Sequence, residues 1–486
     1  MLKTIFQLPD IKISNTEFNL SEYQNAYLII TILDQLNQTA IDSFTLTKSL
    51  SKRFNDQHQK GDKSWVTQLP NDKGTFLIVV EKNNPFEFMD GLKNNLGCLK
   101  PLQGDIAIIN NSQCSISEAN ALRCVLAYNT QMPNFKKEQS HKYINCIDIF
   151  SEHKKDYLKE TKAGHLGNSL ARVLAATPTN YLKPSDYKLI IQKLTDRYQW
   201  DSKFYTYNEL KKMGANSFCA VARACPDEAF IVHLKYRHPN AKKSVSLVGK
   251  GICFDTGGVS LKQSQYMYNM HEDMQGSSVA LGSLVALTEA DVEMNVDCFL
   301  AVTLNLIDKD AYLLNEVITA LNGTTIEITD TDAEGRMALA DTLHLASQEK
   351  PDLLIDYATL TGAAVRAIST RYMALFTKAV DQLPQLIESG TISGERAWPF
   401  PIPDDFDQLI KSDVADILQC SVSPSADHIL AARFLNRFVD HDKVKQWIHL
   451  DLAASMNKGG LGSVPSDFTG IGVFYTLSLL NNLLKY

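Results

Sequence analysis

The chain has 486 residues, of which 44% are hydrophobic and 21% are charged, and its formal net charge is −7. This composition is typical of a globular protein and excludes an intrinsically disordered chain. The acidic balance argues against a dedicated nucleic-acid-binding protein, because such proteins need clustered Lys and Arg to neutralise phosphates.

Three features of the sequence predict a cytoplasmic location. The segment Met1–Ser14 has no long apolar stretch behind Lys3, so we expect no secretory signal. No apolar run is long enough for a membrane span, so we expect no contact with a membrane. The nine cysteines include no C-x-x-C pair, and scattered thiols in odd number fit a reducing compartment better than a disulfide framework or a structural zinc site.

Residues 1–150 predict a small N-terminal α/β domain, to which we assign an assembly or regulatory role by its position alone. Its apolar runs of strand length are Tyr27–Ile32, Thr75–Val80 and Asp105–Ile109. A polar segment between them, Thr39–Arg53, is compatible with a helix. The charged stretch 151–164 is predicted to be a connecting helix or linker.

From residue 165 to residue 486, helix and strand patterns alternate. The segments Asn168–Ala176 and Ser185–Tyr198 predict helices. Five continuous apolar runs predict buried strands: Ser244–Gly249, Asp297–Asn305, Thr325–Thr329, Leu353–Tyr357 and Trp447–Leu452. Continuous runs are typical of strands covered by helices on both faces, so this region predicts a catalytic α/β domain with a central mixed, largely parallel sheet. Functional groups in such sheets collect where strands lead into helices.

The first segment with potential chemistry is Val248–Lys262, where a glycine-rich loop follows a strand. It presents Lys250, Asp255 and Lys262. A turn with solvated charges remains open as an interpretation. A phosphate-binding loop is excluded, because the pattern G-x-x-x-x-G-K-[ST] is missing.

The second segment, Met270–Gly276, contains a His-Glu pair. A zinc-binding H-E-x-x-H helix needs histidine at the position of Gln275, so that type of site is excluded. Asp273 taken alone would more often be a helix cap or an exposed helix residue.

The third segment, Thr325–Met337, runs from a strand into three carboxylates, those of Asp330, Asp332 and Glu334. Like charges packed into one turn are costly unless a positive charge neutralises them. A solvated turn before a capped helix is the simple alternative. We favour divalent cations, because carboxylates are natural ligands for Zn²⁺, Mg²⁺ and Mn²⁺.

Taken together, these segments resemble the leucine aminopeptidase (cytosol aminopeptidase) family. Asp330–Arg336 reads D-T-D-A-E-G-R where the family has N-T-D-A-E-G-R. The remaining matches occur in family order: the G-K-G-x-x-F-D-x-G-G-x-x-x-K stretch, Asp273-Met274, Asp356–Gly362 and Trp447–Asp451. The resemblance covers the chain from about residue 165 onward, and the first 150 residues carry no such motif.

The resemblance implies a metal-dependent aminopeptidase that hydrolyses the N-terminal bond of peptides with a metal-bridging hydroxide as nucleophile. Two divalent ions per subunit are implied, with Zn²⁺ as the first expectation and Mn²⁺, Mg²⁺ or Co²⁺ as alternatives at the exchangeable site. Asp255 and Glu334 would bridge both ions. Lys250 and Asp273 would complete the tighter site, and Asp332 the exchangeable one.

The implied catalytic side chains are Lys262 and Arg336, with a bicarbonate ion held by the arginine as general base. A protonated Lys262 can stabilise an oxyanion, and the forked guanidinium of Arg336 can bind a planar anion. The implied pocket for the first substrate side chain is formed by Met270, Thr359, Ala453 and Met456. A homo-hexamer is also implied.

Several positions depart from the family pattern without removing an implied ligand. Asp330 replaces Asn, and Gln275 stands where a small residue is usual. Leu304–Ile307 replaces E-N-M-P, and Ala426–Ile429 stands where small, glycine-rich residues are typical. These departures bear on substrate preference and assembly.

Two other function classes remain open from the sequence. DNA binding by family members would require a basic surface, for which Lys136-Lys137 and Lys154-Lys155 are the small candidates. A pseudoenzyme scaffold would predict the loss of at least one implied ligand or catalytic residue, and none is lost. We therefore expect an enzyme that acts on peptides and binds no nucleic acid.

Overall fold

The computed structural model describes residues 2–14, 27–33, 64–68, 75–81, 84–99, 102–112, 114–137, 143–152, 157–422 and 425–484. The predicted helical segment Thr39–Arg53 and the pair Lys154-Lys155 lie outside these residues. The chain forms two compact units. One contains Met1–His165, Thr391–Gly394 and Lys458–Asp467, and the other contains Leu166–Gly390, Glu395–Asn457 and Phe468–Tyr486.

The first unit is built on a six-stranded sheet. Its elements are α1 Leu2–Ile5, β1 Asp10–Ser14, β2 Leu28–Leu33, β3 Ser64–Gln68, β4 Phe76–Glu81, α2 Pro85–Gly97, β5 Gly104–Asn110, α3 Ser115–Asn129 and β6 Ile144–Phe150. The strand order is β1-β6-β5-β2-β4-β3, and every pairing is parallel except that of β3 with β4. All six residues of β2 are buried, as expected for a central strand of a parallel sheet.

The rest of the chain contains two further sheets and most of the helices. The helices are α4 Tyr157–Ala175, α5 Pro184–Tyr198, α6 Tyr207–Met213, α7 Asn216–Ala222, α8 Ser264–Met267, α9 Gln275–Ala290, α10 Glu334–Ser347, α11 Gly362–Ile368, α12 Leu383–Ser393, α13 Asp427–Asn436 and α14 Val473–Leu484. The strands are β7 Asp201–Thr206, β8 Phe230–Tyr236, β9 Lys243–Asp255, β10 Met294–Asn305, β11 Val317–Thr319, β12 Thr325–Glu327, β13 Leu353–Ala358, β14 Met373–Phe376, β15 Ala397–Phe400, β16 Ile417–Leu418 and β17 Trp447–Asp451. Short 3₁₀ helices lie at Thr179–Tyr181, Met270–Glu272, Ser369–Arg371, Val380–Gln382 and Asp404–Ile410.

The larger sheet has eight strands in the order β15-β14-β17-β13-β9-β10-β8-β7. Its four central strands, β17, β13, β9 and β10, are parallel. On one side β8 pairs antiparallel with both β10 and β7, and on the other side β14 pairs antiparallel with β17 and parallel with β15. Helices α9 and α10 both pack on β9, β10 and β13. The predicted α/β fold with a mixed, largely parallel sheet flanked by helices is confirmed.

One predicted strand differs from the observed structure. The run Thr325–Thr329 forms only the short strand β12, which belongs to a separate three-stranded sheet with β11 and β16. The strand ends at Glu327, and the chain continues into the loop before α10, which contains Asp330 and Asp332 and is called the acidic loop below. Within the described residues, no helix combines the length and apolar character needed to cross a membrane.

Candidate active site

The candidate site lies at the carboxyl ends of three neighbouring parallel strands. Asp255 is the last residue of β9, Asn305 is the last residue of β10, and Thr359 follows β13. Because parallel strands end at the same edge of a sheet, these three side chains come together although up to 104 residues separate them.

The G-K-G sequence of β9 has a packing reason. A Cβ atom at Gly249 would lie 2.5 Å from Ser277 Cα, so glycine lets α9 approach the strand closely. Successive strand residues point to opposite faces, which directs Lys250 away from α9 and toward α10. There Gly335 leaves room for it, because a Cβ at Gly335 would lie 2.6 Å from Lys250 Cε.

Lys250 joins two carboxylates that arrive at the beginnings of helices. Asp273 lies between the 3₁₀ helix Met270–Glu272 and α9, and Glu334 is the first residue of α10. Lys250 Nζ is 2.7 Å from Asp273 Oδ1 and 3.0 Å from Glu334 Oε1. It also donates to the Thr359 carbonyl at 2.8 Å, and the Thr359 hydroxyl donates to Asp273 Oδ1 at 2.9 Å.

Lys262 joins the other two predicted metal ligands. Its Nζ is 2.8 Å from Asp255 Oδ2 and 2.5 Å from Asp332 Oδ1. Asn305 Nδ2 donates to Asp255 Oδ1 at 2.8 Å and to the Thr331 carbonyl at 3.0 Å, which links the strand edge to the acidic loop. The structure thus brings all five predicted metal ligands and Lys262 into one cluster.

The cluster carries more negative than positive charge. Four carboxylates face two ammonium groups, which leaves an excess of two negative charges when all are ionised. Burial raises the pKa of Asp273 and Glu334, and it raises the pKa of Asp332 to about 7. Shifts of this kind at clustered carboxylates are typical of a functional site.

The protein surroundings alone keep Lys250 protonated. Burial lowers its pKa, but attraction to Asp273, Glu334 and Asp255 outweighs that effect and raises the pKa above the ordinary value. Binding of Lys250 to a metal as the free amine therefore requires the opposing field of a cation at the same carboxylates.

The residues present fit a site for divalent cations. Ligand atoms of Asp255, Asp273 and Glu334 all lie within 4.8 Å of one another. Among the residues that the structure describes, none donates a hydrogen bond to the buried oxygen Asp273 Oδ2. A buried carboxylate oxygen without a donor is costly, and a cation is a partner that would satisfy it.

A second group of possible ligands, His233, Asp297 and Glu349, is better explained without a metal. Asp297 Oδ1 lies 2.6 Å from His233 Nε2 and accepts a hydrogen bond from Arg237 Nη2 at 2.7 Å. These partners satisfy the carboxylate, and Glu349 is exposed at the rim.

Among the residues that the structure describes, Arg336 forms its hydrogen bonds and its ion pair with Asp427 and Gln419, which lie outside the carboxylate cluster. Its Nη2 donates to Asp427 Oδ1 at 2.9 Å, and its Nη1 donates to the Gln419 carbonyl at 3.3 Å. Burial lowers the pKa of Arg336, but Asp427 more than offsets this, so the guanidinium stays charged.

The predicted pocket residues occupy different positions around the site. Thr359 contacts Asp273, as described above. Met456 pairs with Phe468 in an isolated β-bridge, and the ring of His271, next to Met270, packs edge-on against Phe468 at 5.7 Å. Ala453 is buried beside the end of β17. Their role as a substrate pocket stays a prediction.

Gln419 organises the acidic loop and was not found from the sequence. Its Oε1 accepts hydrogen bonds from the backbone N–H groups of Thr329 and Asp330 at 3.2 and 3.1 Å. Its Nε2 donates to the Ala333 carbonyl at 3.0 Å. No local pattern marks this residue, because its partners lie 86 to 90 positions away in the chain.

Replacing Gln419 by alanine is expected to weaken metal binding by about 10- to 100-fold, as is usual when a residue that orients the ligands is lost. A competition titration with a chromophoric chelator measures the affinity. Gln348→Ala serves as the control, since Gln348 is exposed and bonds to His344 in its own helix region. Unchanged affinity in folded Gln419→Ala would show that the loop holds its shape without this amide.

Comparison with known proteins matches this geometry to one family. Residues 169–477 match the profile of the cytosol aminopeptidase family, catalytic domain. The probable cytosol aminopeptidase of Corynebacterium glutamicum is 36% identical over 317 residues, which are 65% of this chain and 63% of that protein. That of Persephonella marina is 31% identical over 383 residues, which are 78% and 76% of the two chains. The first alignment thus spans somewhat less than two thirds of the relative.

Solved structures with the same fold cover nearly the whole chain. The bottromycin maturation enzyme BotP in complex with Mn has a TM-score of 0.81 at 26% identity, with 94% of this chain and 99% of that chain covered. Leucyl aminopeptidase from Leishmania major in complex with actinonin has a TM-score of 0.84 over 99% and 96% of the two chains, and at 22% identity it supports the fold alone. The family profile, the relatives and the fold agree that this chain belongs to the cytosol aminopeptidase family, a family of metal-dependent aminopeptidases.

Proposed function

We propose that this chain is a metal-dependent aminopeptidase that hydrolyses the N-terminal bond of peptides with a free α-amine. The observation that carries the proposal is the buried carboxylate cluster with its unpartnered oxygen Asp273 Oδ2. Asp255 and Glu334 would hold both ions, Lys250 and Asp273 would complete the tighter site, and Asp332 would complete the exchangeable site. When bound, the two ions supply an activated water at neutral pH and polarise the scissile carbonyl.

The side chains of this protein have separate tasks in the reaction. Lys262 donates hydrogen bonds to the oxygen that becomes negative in the transition state. Asp255 and Asp332 keep it charged, because their attraction, together with that of Glu334, outweighs burial and raises its pKa. The Thr359 carbonyl fixes the position of Lys250 at 2.8 Å. Met270, Thr359, Ala453 and Met456 line the pocket for the first side chain.

Several finer features form part of the same proposal. The metals are Zn²⁺ or Mn²⁺, with Mg²⁺ or Co²⁺ as alternatives at the exchangeable site, and the Mn complex of BotP supports Mn²⁺ as a candidate. The protein acts in the cytoplasm and assembles as a homo-hexamer. The N-terminal α/β domain, residues 1–150, serves assembly or regulation, and residues 151–164 connect it to the catalytic domain.

Chelation followed by metal replacement tests the function directly. We expect a chelator to abolish hydrolysis of aminoacyl-p-nitroanilides and dipeptides, because the carboxylate cluster needs its cations. Re-addition of Zn²⁺, Mn²⁺, Mg²⁺ or Co²⁺ in parallel samples should restore hydrolysis and identify the effective metal.

The matched control for this test is the same peptide with an acetylated N-terminus. Restored cleavage of free peptides, with none of acetylated ones, supports an aminopeptidase. Equal cleavage of both would contradict it, and so would two bound metals with no cleavage of any substrate.

A further inference from the structure

The segments Asp356–Gly362 and Trp447–Asp451 match the family pattern, yet neither supplies a predicted metal ligand or catalytic side chain. They form the strands β13 and β17 and the turn that follows β13. The two strands pair in parallel, and Ala358 at the end of β13 lies opposite Asp451 at the end of β17. Asp451 therefore lies beside the turn after β13.

A buried hydrogen-bond network joins the two strands just before this turn. Asp356 Oδ1 lies 2.6 Å from His449 Nδ1, and Asp356 Oδ2 accepts a hydrogen bond from Trp447 Nε1 at 2.7 Å. Asp356 and His449 are fully buried. A polar network in a protein interior holds its members in one arrangement. The two strands are therefore held in a fixed register up to the turn.

The Asp451 carboxylate is 1% exposed and bonds to the turn through both of its oxygens. Oδ1 accepts a hydrogen bond from the backbone N–H of Leu360 at 3.1 Å, and Oδ2 accepts one from the Thr361 hydroxyl at 2.7 Å. Burial of an ionised carboxylate is costly, and hydrogen bonds to it are stronger than those between neutral groups, so they offset part of that cost. The turn is thereby attached to β17 at two successive residues.

The N–H group that Asp451 binds belongs to the same peptide group as the carbonyl of Thr359. That carbonyl accepts a hydrogen bond from Lys250 Nζ at 2.8 Å. Because a peptide group is planar and almost always trans, its N–H and its C=O point in opposite directions. One rigid group thus lies between Asp451 on one side and Lys250 on the other, and the carboxylate fixes the direction of the carbonyl.

The side chain of Thr359 also orients Asp273. Its hydroxyl donates to Asp273 Oδ1 at 2.9 Å, and Lys250 Nζ lies 2.7 Å from the same oxygen. Both contacts are made to Oδ1, whereas no donor among the described residues reaches Oδ2. The position of Thr359 therefore leaves Oδ2 available to a cation.

We propose that Asp451 is a positioning residue for the tighter metal site. It fixes the peptide group between Thr359 and Leu360, whose carbonyl directs the amine of Lys250, and it thereby sets the affinity for the ion that Lys250 and Asp273 hold. Asp451 acts through Thr359 and not by contact with the ion or the substrate. This inference rests on the proposed aminopeptidase function.

The test measures binding of Zn²⁺ to the metal-free full chain by competition with a chromophoric chelator, which resolves the tighter and the exchangeable binding steps. For Asp451→Ala we expect the tighter step to weaken by about 10- to 100-fold, the usual loss when a residue that orients metal ligands is removed. The exchangeable step should change much less, because its ligand Asp332 bonds to Lys262 and within the acidic loop. A general loss of structure would weaken both steps alike.

Asp451→Asn separates hydrogen bonding from charge. Its amide oxygen can accept from the Leu360 N–H, and its amide nitrogen can donate to the Thr361 hydroxyl. We therefore expect Asp451→Asn to recover most of the affinity that Asp451→Ala loses. If Asp451→Ala does not fold, Thr361→Val and Thr361→Ser form a second pair, in which only the variant without a hydroxyl should weaken the tighter step.

Asp341→Ala is the matched control for the loss of a buried carboxylate. Asp341 is fully buried and accepts hydrogen bonds from two backbone N–H groups, those of Phe218 at 2.9 Å and Leu321 at 2.7 Å. Its replacement should lower the midpoint of thermal unfolding and leave the ratio of the two Zn²⁺ affinities unchanged.

Three results would overturn the inference: an unchanged tighter step in folded Asp451→Ala, equal weakening of both steps, or equal weakening in Asp451→Asn and Asp451→Ala. Peptide hydrolysis by the unmodified chain is measured separately. Two bound Zn²⁺ ions with no cleavage of any peptide would contradict the proposed function alone, since the binding measurement needs no turnover.

Discussion

Replacing Glu334 by alanine is expected to remove bound metal and peptidase activity together. Glu334 is one of three carboxylates whose ligand atoms lie within 4.8 Å of one another, and it also contacts Lys250 at 3.0 Å. Loss of the cations removes their stabilisation of the transition state, several kcal/mol in general, so kcat/KM should fall by about 10³-fold or more. Elemental analysis of the dialysed protein, alongside the activity assay, checks both effects.

Glu349→Ala is the matched control for this experiment. Glu349 belongs to the second group of possible ligands, around His233 and Asp297, which is satisfied by its own hydrogen bonds. Its replacement should leave metal content and activity unchanged. If Glu349→Ala lost the metals while Glu334→Ala kept them, the metal site would lie in the second group.

Replacing Lys262 by alanine is expected to preserve the metals and abolish most turnover. Lys262 bonds to Asp255 and Asp332, so its removal makes the cluster more negative and does not weaken cation binding. The loss of one donor to a developing oxyanion typically lowers kcat by about 10²- to 10³-fold. Steady-state kinetics on the metal-loaded variant should show this fall in kcat with metal content unchanged.

Lys309→Ala controls for the loss of a lysine, because Lys309 is exposed and pairs only with its neighbour Asp310 among the contacts that the structure describes. That variant should keep full activity. Near-normal kcat in Lys262→Ala would show that the oxyanion is stabilised by other groups, and loss of metal from Lys262→Ala would show that the lysine holds the cluster together.

The sequence predicted correctly those helices, strands and acidic residues whose signal lies within one short segment of the chain. The apolar run at Leu353–Tyr357 appears as β13, and Ser185–Tyr198 lies within α5, because burial and periodicity are local signals. The acidic loop before α10 was also visible, since three carboxylates in five residues are unusual without a cation. The strand Thr325–Thr329 was placed in the wrong sheet, because a short apolar run does not reveal its partners.

The sequence by itself determined the α/β class, the family and the six charged side chains that meet in the cluster around Lys250. Only the tertiary structure showed how Asn305 and Gln419 hold that cluster and that Asp427, 91 positions from Arg336, forms an ion pair with Nη2 of its guanidinium. The physical reason is that a carboxylate or amide side chain has the same local pattern on an exposed turn as beside a buried arginine. Its role is fixed by partners that the fold brings from distant segments of the chain.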